Sequence, residues 1–239
     1  MRSTSLVRRA ALCVAFAPFA ACGGSKAPTP APTPNVDPAK AAEPVAAAAV
    51  APAPPPPPSP LAAYASRKVA VFPLQRLAIG DSSAQAVSAA AMRPRGAAFD
   101  SAFTRTLDGR GLGTQWVLPP AMLKVAQREV VNRTDARALA VTGLGPQRRP
   151  NDMDVREPLA SQLRALIALT DARWVLIPVE ARVFAAADGQ RTARVRLALI
   201  DGRGGQVMTL PEVAGKAAAT EAAALASVAG AAADLIVAP

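Results

Sequence analysis

The chain has 239 residues and a formal net charge of +10, with 27 Lys and Arg against 17 Asp and Glu. It contains 24 Pro, two Cys and no His. The missing His excludes the commonest general base, the commonest metal ligand and the Ser-His and Cys-His nucleophile pairs. Two Cys are too few for a disulfide framework or a four-Cys zinc site. We therefore expect a protein that is not an enzyme, with no catalytic residue, metal or cofactor.

The basic charge has two interpretations. Of the 27 basic residues 22 are Arg, and Ala, Pro and Gly are also abundant, which is typical of a GC-rich coding sequence. On the first interpretation the charge reflects codon usage, and the Arg side chains are simply solvated. On the second it forms a basic face for an anionic partner.

Residues 1–21 predict a lipoprotein signal peptide. Arg2, Arg8 and Arg9 precede an apolar run over residues 10–21, which has the length of a signal sequence and is too short to span a bilayer. The run ends in Phe-Ala-Ala-Cys, which resembles a bacterial lipobox with Phe in place of the usual Leu. We expect Cys22 to be acylated and to anchor the chain without a transmembrane helix. The alternative is an ordinary signal peptide that leaves Cys22 as a free thiol.

The residue after Cys22 indicates which membrane would hold the lipid anchor. It is Gly rather than Asp, and the resemblance to Gram-negative lipoproteins then implies the outer membrane, on its periplasmic face. Residues 22–60 are expected to form the acylated Cys and a disordered stalk, because residues 27–60 contain 13 Pro and 11 Ala. As polyproline II, at about 3.1 Å per residue, the stalk reaches roughly 100 Å. A Pro-rich peptide ligand is the competing interpretation.

Residues 61–239 predict one globular domain, whose 22 basic and 15 acidic residues give a net charge of +7. Its first half predicts strands and helices in alternation. In chain order they are a strand at 68–75 (KVAVFPLQ), an irregular stretch at 79–96, a helix carrying Phe99, Phe103 and Leu107, a strand at 114–118 (TQWVL) and a helix opening at Pro119.

The second half predicts a helix and then an antiparallel meander. In chain order these are a helix from Pro158, a strand at 173–185, a turn at Asp188-Gly189, a strand at 192–200, a further strand at 206–213 and a terminal helix at 217–237. The fold class is therefore α/β (α+β). We expect a single small mixed sheet of about five strands, parallel first and antiparallel at the end, with about four helices.

The segments VAVFPLQ, GRGLG before TQWVLP, WVLIPVEARV and RVRLALIDGRGGQVMTL resemble a group of bacterial envelope domains. The group includes the penicillin-binding-protein activator lipoproteins of the B type, the curli-secretion lipoprotein and the amino-terminal domain of the Tol-system β-propeller protein. The likeness spans most of residues 67–237, and its motifs mark strands and turns rather than a site. It implies a non-enzymatic periplasmic role as adaptor, regulator or assembly subunit.

The candidate partner-binding surface consists of Arg182, Arg194, Arg196 and Arg203. The first three alternate along neighbouring strands, and Arg203 follows in the next turn. On one sheet face they could bind carboxylates of an envelope protein, peptidoglycan or lipid phosphates. Solvated Arg residues on an open face are the other interpretation. We expect Glu180 to pair with Arg194 or Arg196 across strands.

Three further features predict structure rather than chemistry. Residues 109–113 (GRGLG) follow a helix and lack the GK[ST] of a phosphate loop, so we interpret them as a helix end. Asp152 and Asp154 lack the later ligands of a calcium loop. Trp116 and Trp174 are interpreted as core residues, with an interface anchor as the alternative for one of them.

Two functions remain open. The first is a tethered adaptor or regulator of envelope machinery, for example an activator of a cell-wall synthase. The second is an oligomeric subunit of a secretion or assembly complex, similar to the curli-type lipoprotein, although no charge-free pair of alternating segments suited to membrane insertion is found. An exported chain with no aromatic-basic motif is not expected to bind nucleic acid.

Overall fold

A computed structural model describes residues 59, 61–80, 85–128, 133–145, 148, 152–186 and 188–237. These residues belong to one compact unit. The expected signal peptide, Cys22 and all of the expected stalk except Ser59 lie outside the described residues.

The core of the domain is a seven-stranded mixed sheet in the described part of the chain. The strands are β1 (Val69–Val71), β2 (Leu77–Ile79), β3 (Gln85–Ala86), β4 (Trp174–Ala185), β5 (Arg191–Asp201), β6 (Gln206–Thr209) and β7 (Glu212–Ala214). The long strand β4 is central: β1 and β2 pair parallel with its two halves, and β5 pairs antiparallel along its whole length. β6 and β7 then pair with β5.

Helices cover both faces of the sheet. They are α1 (Ala89–Gly109), α2 (Pro119–Arg128), α3 (Leu159–Ile167) and α4 (Glu221–Asp234). One core cluster joins α1 and α4 to the sheet through Phe99, Phe103 and Val228. A second, on the opposite face, joins α2 and α3 through Met122 and Leu163. The expected α+β class with a mixed sheet is confirmed, with seven strands instead of about five.

Three sequence-based boundaries are wrong. Residues 89–96 are not irregular, because α1 starts at Ala89 and Ser88 caps it by accepting a hydrogen bond from the Ala91 N–H. TQWVL is not a strand: its first residue, Thr114, ends a 3-10 helix (Leu112–Thr114), and Val117 alone forms a parallel bridge, to Ala70. The strand at 206–213 is split into β6 and β7, and Pro211, which has no N–H to donate, lies between them.

The terminal helix α4 packs on α1 and the sheet through small side chains. Ala224, Ala229, Ala232 and Ala233 are buried beside Leu225 and Val228. Small residues let the backbones approach closely, and at Gly215 a Cβ atom would lie 2.6 Å from the Val228 nitrogen. No described helix has the length and apolar character that a membrane span requires.

The chain enters the domain beside the end of α4. The Leu61 N–H donates to the Leu235 carbonyl at 3.1 Å, and the Ser59 hydroxyl also donates to that oxygen. Leu61 is buried in the α1–α4 core. The first and last described residues of the domain are therefore held together at one place, which we call the terminal seam.

A buried polar network attaches the loop at 133–140 to the segment between β1 and β2. The Gln75 amide nitrogen donates to the Pro73 and Ala136 carbonyls, and its oxygen accepts from the Leu139 N–H. Asp100 of α1 accepts from the Leu74 N–H at 2.8 Å and from Arg137 at 3.1 Å. Burial raises the pKa of Asp100 to about 6, because loss of hydration outweighs both bonds.

Replacing Gly215 with Ala should destabilise the domain by about 1–3 kcal/mol, because the added methyl meets the backbone of α4. The matched control is Gly230→Ala in α4, where an added Cβ atom meets nothing within 4 Å. This substitution should stabilise the domain by about 0.5–1 kcal/mol, because Ala favours a helix more than Gly does. Urea unfolding of the two variants measures both changes. Equal effects of the two substitutions would show that the close approach at Gly215 is unimportant.

Asp100 should give stability a pH dependence of defined sign. Its folded pKa of about 6 lies above the ordinary 3.8, so its contribution is fully present below pH 3.8 and is lost as the pH rises through about 6. The interval corresponds to about 3 kcal/mol. Urea unfolding at about pH 4 and about pH 7 should show that wild type loses about 2 kcal/mol of this amount relative to Asp100→Asn, because at pH 4 the carboxyl of the unfolded chain is already partly ionised. A parallel pH dependence of the two proteins would contradict the shift.

Candidate partner-binding surface

A single-residue bulge in β4 creates the candidate surface. Pro178 pairs with Leu197 and Glu180 with Arg196, so Val179 is an extra residue. Before the bulge the odd-numbered residues of β4, such as Val175 and Ile177, face α2 and α3. After it the odd residues Ala181 and Val183 face α1 and α4, and the even residues therefore take the other face.

The result is a row of charged side chains on the part of this face beyond the second core cluster. We call it the charged strip, and it consists of Glu180, Arg182, Arg194, Arg196 and Glu212. Arg182 lies directly opposite Arg194. Arg196 lies between Glu180 of β4 and Glu212 of β7. Three of the four expected Arg residues are thus brought together by register.

Ion pairs within the strip neutralise much of its charge. Arg196 Nη2 donates to Glu212 Oε2 at 2.9 Å, and Arg182 Nε donates to Glu180 Oε1. Glu180 registers with Arg196, one of its two expected partners, but its ion pair is with Arg182, a neighbour on its own strand. Three Arg and two Glu leave the strip with a net charge of +1.

Arg194 is the least satisfied cation of the strip. Its side chain is 60% exposed, and its Nη1 atom lies 3.8 Å from Glu212 Oε1, beyond hydrogen-bond distance. Its guanidinium lies 5.7 Å from the centre of the Phe184 ring, close enough for a cation–π contact that orients it. Arg194 therefore presents N–H donors to a partner at low conformational cost.

Arg203 lies away from the other three. It belongs to the turn after Asp201, at the opposite end of β5 from Arg194. Its guanidinium is 3.9 Å from Asp171, and both side chains are at least 70% exposed. Asp201 holds the turn by accepting from the Arg203 and Gly204 N–H groups and from Arg173. The Arg173 hydrogen bond lowers the pKa of Asp201 against the opposing effect of burial.

The other residues that the sequence analysis singled out lie in turns, ion pairs or the core. Gly111, at a φ of +81°, follows the end of α1. Asp152 pairs with Arg156 at 2.6 Å. Trp116 is buried in the α1–α4 core, whereas Trp174 is half-buried and packs edge-on against Tyr64 at 4.9 Å.

Sequence reasoning missed two contributors to the strip. Phe184 has the same parity as Arg182 in β4, so a search for aromatic residues two positions from an exposed Arg would have found it. Glu212 carried no such signal, because its place beside Arg196 depends on the separate strand β7. The network around Gln75 and Asp100 depends on contacts between residues far apart in the chain.

No protein-family model matches the chain, and no curated protein matches it. Solved structures that are similar to it include the following two. The C-terminal domain of LpoB from Salmonella enterica has 12% identity and a TM-score of 0.30, over 62% of this chain and 81% of that chain. The PelC dodecamer from Paraburkholderia phytofirmans has 14% identity and a TM-score of 0.30, over 70% of this chain and 85% of that chain.

At these identities and TM-scores, neither likeness bears on what this chain binds or does.

Proposed function

We propose that the chain is a periplasmic lipoprotein, anchored through Cys22 to the outer membrane, whose domain is a non-enzymatic adaptor or regulator of cell-envelope machinery. Activation of a cell-wall synthase is one such role. Residues 1–21 would be the signal peptide, residues 22–60 the anchor and stalk, and residues 61–239 the working domain. The charged strip is the observation that carries the binding role.

The electrostatics of the strip favour a partner with acidic side chains. The exposed contact of Arg194 with Glu212 spans 3.8 Å and contributes little in water. A carboxylate from a partner would form a fork-shaped pair with Arg194 and exclude water from it. Such a pair sets the orientation and specificity of a complex more than its raw affinity.

The same charges argue against a nucleic acid. Binding to a phosphate backbone depends on Lys and Arg residues whose charge is not already neutralised. In the charged strip two Glu residues offset two of the three Arg residues. A mixed surface of this kind suits a protein with its own mixture of charges, and an envelope protein is the partner we propose.

The absence of His supports a non-enzymatic role. A hydrolase or transferase would then depend on a carboxylate, Lys or Ser device. Both carboxylates of the strip, Glu180 and Glu212, are engaged in ion pairs with Arg182 and Arg196. We therefore assign the strip to binding.

The lipid anchor predicts the chemistry of the mature amino terminus. Mass spectrometry of the chain isolated from membranes should find Cys22 as the first residue, carrying acyl chains. Cys22→Ser should abolish this modification and release the domain from the membrane fraction. Cys13→Ser, inside the expected signal peptide, is the matched control and should leave anchoring unchanged. A mature chain with an unmodified Cys22 would disprove the anchor.

The binding role predicts a position-specific crosslink in intact cells. A photoreactive benzophenone side chain in place of Ala214, which registers with Arg194, should capture an envelope protein that mass spectrometry then identifies. Arg194→Glu should lower the yield about tenfold, the equivalent of 1.4 kcal/mol.

The matched control is Arg203→Glu, which makes the same charge change at a 70% exposed side chain outside the strip. It should leave the yield unchanged. Loss of capture by both variants would show a general charge effect, and capture of peptidoglycan or of a second copy of the chain would replace the proposed partner.

A further inference from the structure

A separate pocket lies between the segment leading into β2, the start of α1 and the loop at 133–140. Its volume is about 290 Å³, just below the roughly 300–1,000 Å³ of most small-molecule sites. No residue of the charged strip lines it. It is independent of the proposed adaptor role.

The lining of this pocket divides into an apolar part and a cationic part. Leu74, Leu77, Val87 and Met92 supply apolar side chains. Leu74 and Leu77 are almost completely buried, whereas Val87 and Met92 are half-buried. An apolar group of a ligand would therefore lose its contact with water against them.

Three guanidinium groups lie around the same pocket. Arg76 and Arg93 are exposed, and within the described residues neither has an acidic partner. Arg137 donates to Asp100 at 3.1 Å, which leaves other N–H groups of its five free to bind an anion. Among the described residues Asp135 is the one acidic residue that lines the pocket, and its carboxylate accepts from the Arg137 backbone N–H at 2.8 Å.

The buried network holds the cationic part in place. Asp100 fixes the Arg137 side chain, and Gln75 fixes the loop that carries it through the Ala136 carbonyl and the Leu139 N–H. A guanidinium positioned in this way loses little freedom when it binds a carboxylate. Arg137 is therefore positioned before any ligand arrives.

We propose that this pocket binds a carboxylate that stands beside one apolar group. The carboxylate would lie between Arg76 and Arg93, with Arg137 behind it, and the apolar group would contact Leu77 and Met92. Two sources share this chemistry: the carboxyl-terminal residue of a peptide and a short free acyl acid. The small volume limits the occupant to about one amino-acid side chain with its carboxylate.

The test uses the full chain labelled on its methionine methyl groups and observed by NMR. N-acetyl-leucine should shift the Met92 methyl signal until it saturates. The exposed Met153 and Met208, which do not line the pocket, should stay unchanged. N-acetyl-leucinamide lacks the negative charge, and inorganic phosphate lacks the apolar group, so neither should reproduce the shift. Hexanoate distinguishes the sources, since equal binding of hexanoate identifies an acyl acid and weaker binding a peptide terminus.

Substitutions then locate the carboxylate. Arg93→Gln should weaken binding of N-acetyl-leucine about tenfold. Arg105→Gln, an exposed Arg of the same helix that does not line the pocket, should leave it unchanged. The proposal is overturned if Met92 shows no saturable shift, if the amide or phosphate binds as well as the carboxylate, or if the two Arg variants weaken binding equally.

Discussion

The antiparallel pairing of β4 with β5, interrupted by one extra residue at Val179, is the constraint on which the rest of the domain depends. β4 pairs along one side with β5 and along the other with β1 and β2, so every other strand is placed relative to this pair. The bulge preserves a dry core on the α1–α4 side along the whole hairpin. On the opposite side it leaves an apolar half under α2 and α3, and a charged half beyond them.

This division has an energetic logic. Arg182 and Arg194 face each other across the pair, and like charges directly opposite are unfavourable. Glu180, Glu212 and the Phe184 ring offset that repulsion locally. The compensation is incomplete at Arg194, whose guanidinium stays 3.8 Å from Glu212 while the strands remain paired. A fully neutralised row would stabilise the sheet and recognise less.

Features of the fold that depend on residues close together in the sequence could be predicted from it, whereas features that depend on contacts between strands could not. Clean alternation predicted the strand at 192–200, and Asp188-Gly189 predicted the turn before it, where Gly189 has a φ of +78°. The start of α1 was missed because Ala and Ser residues give no apolar period. The bulge was missed because the alternation of side chains along one strand does not show where its register with the partner strand shifts. Arg203 is close to Arg196 in the sequence. In the structure it lies in the turn after Asp201, at the opposite end of the 11-residue strand β5 from Arg194.

The terminal seam has a mechanical consequence. A force that reaches the domain through the residues before Ser59 is met first by the hydrogen bonds of Ser59 and Leu61 to Leu235. The force is transmitted to the strands of the sheet only after those hydrogen bonds have broken. Residues 61–68 would then unfold and extend to at most about 28 Å. They include the short 3-10 helix Ala62–Tyr64. The junction at the end of α4 would therefore open before the charged strip or the pocket beside Gln75 is distorted.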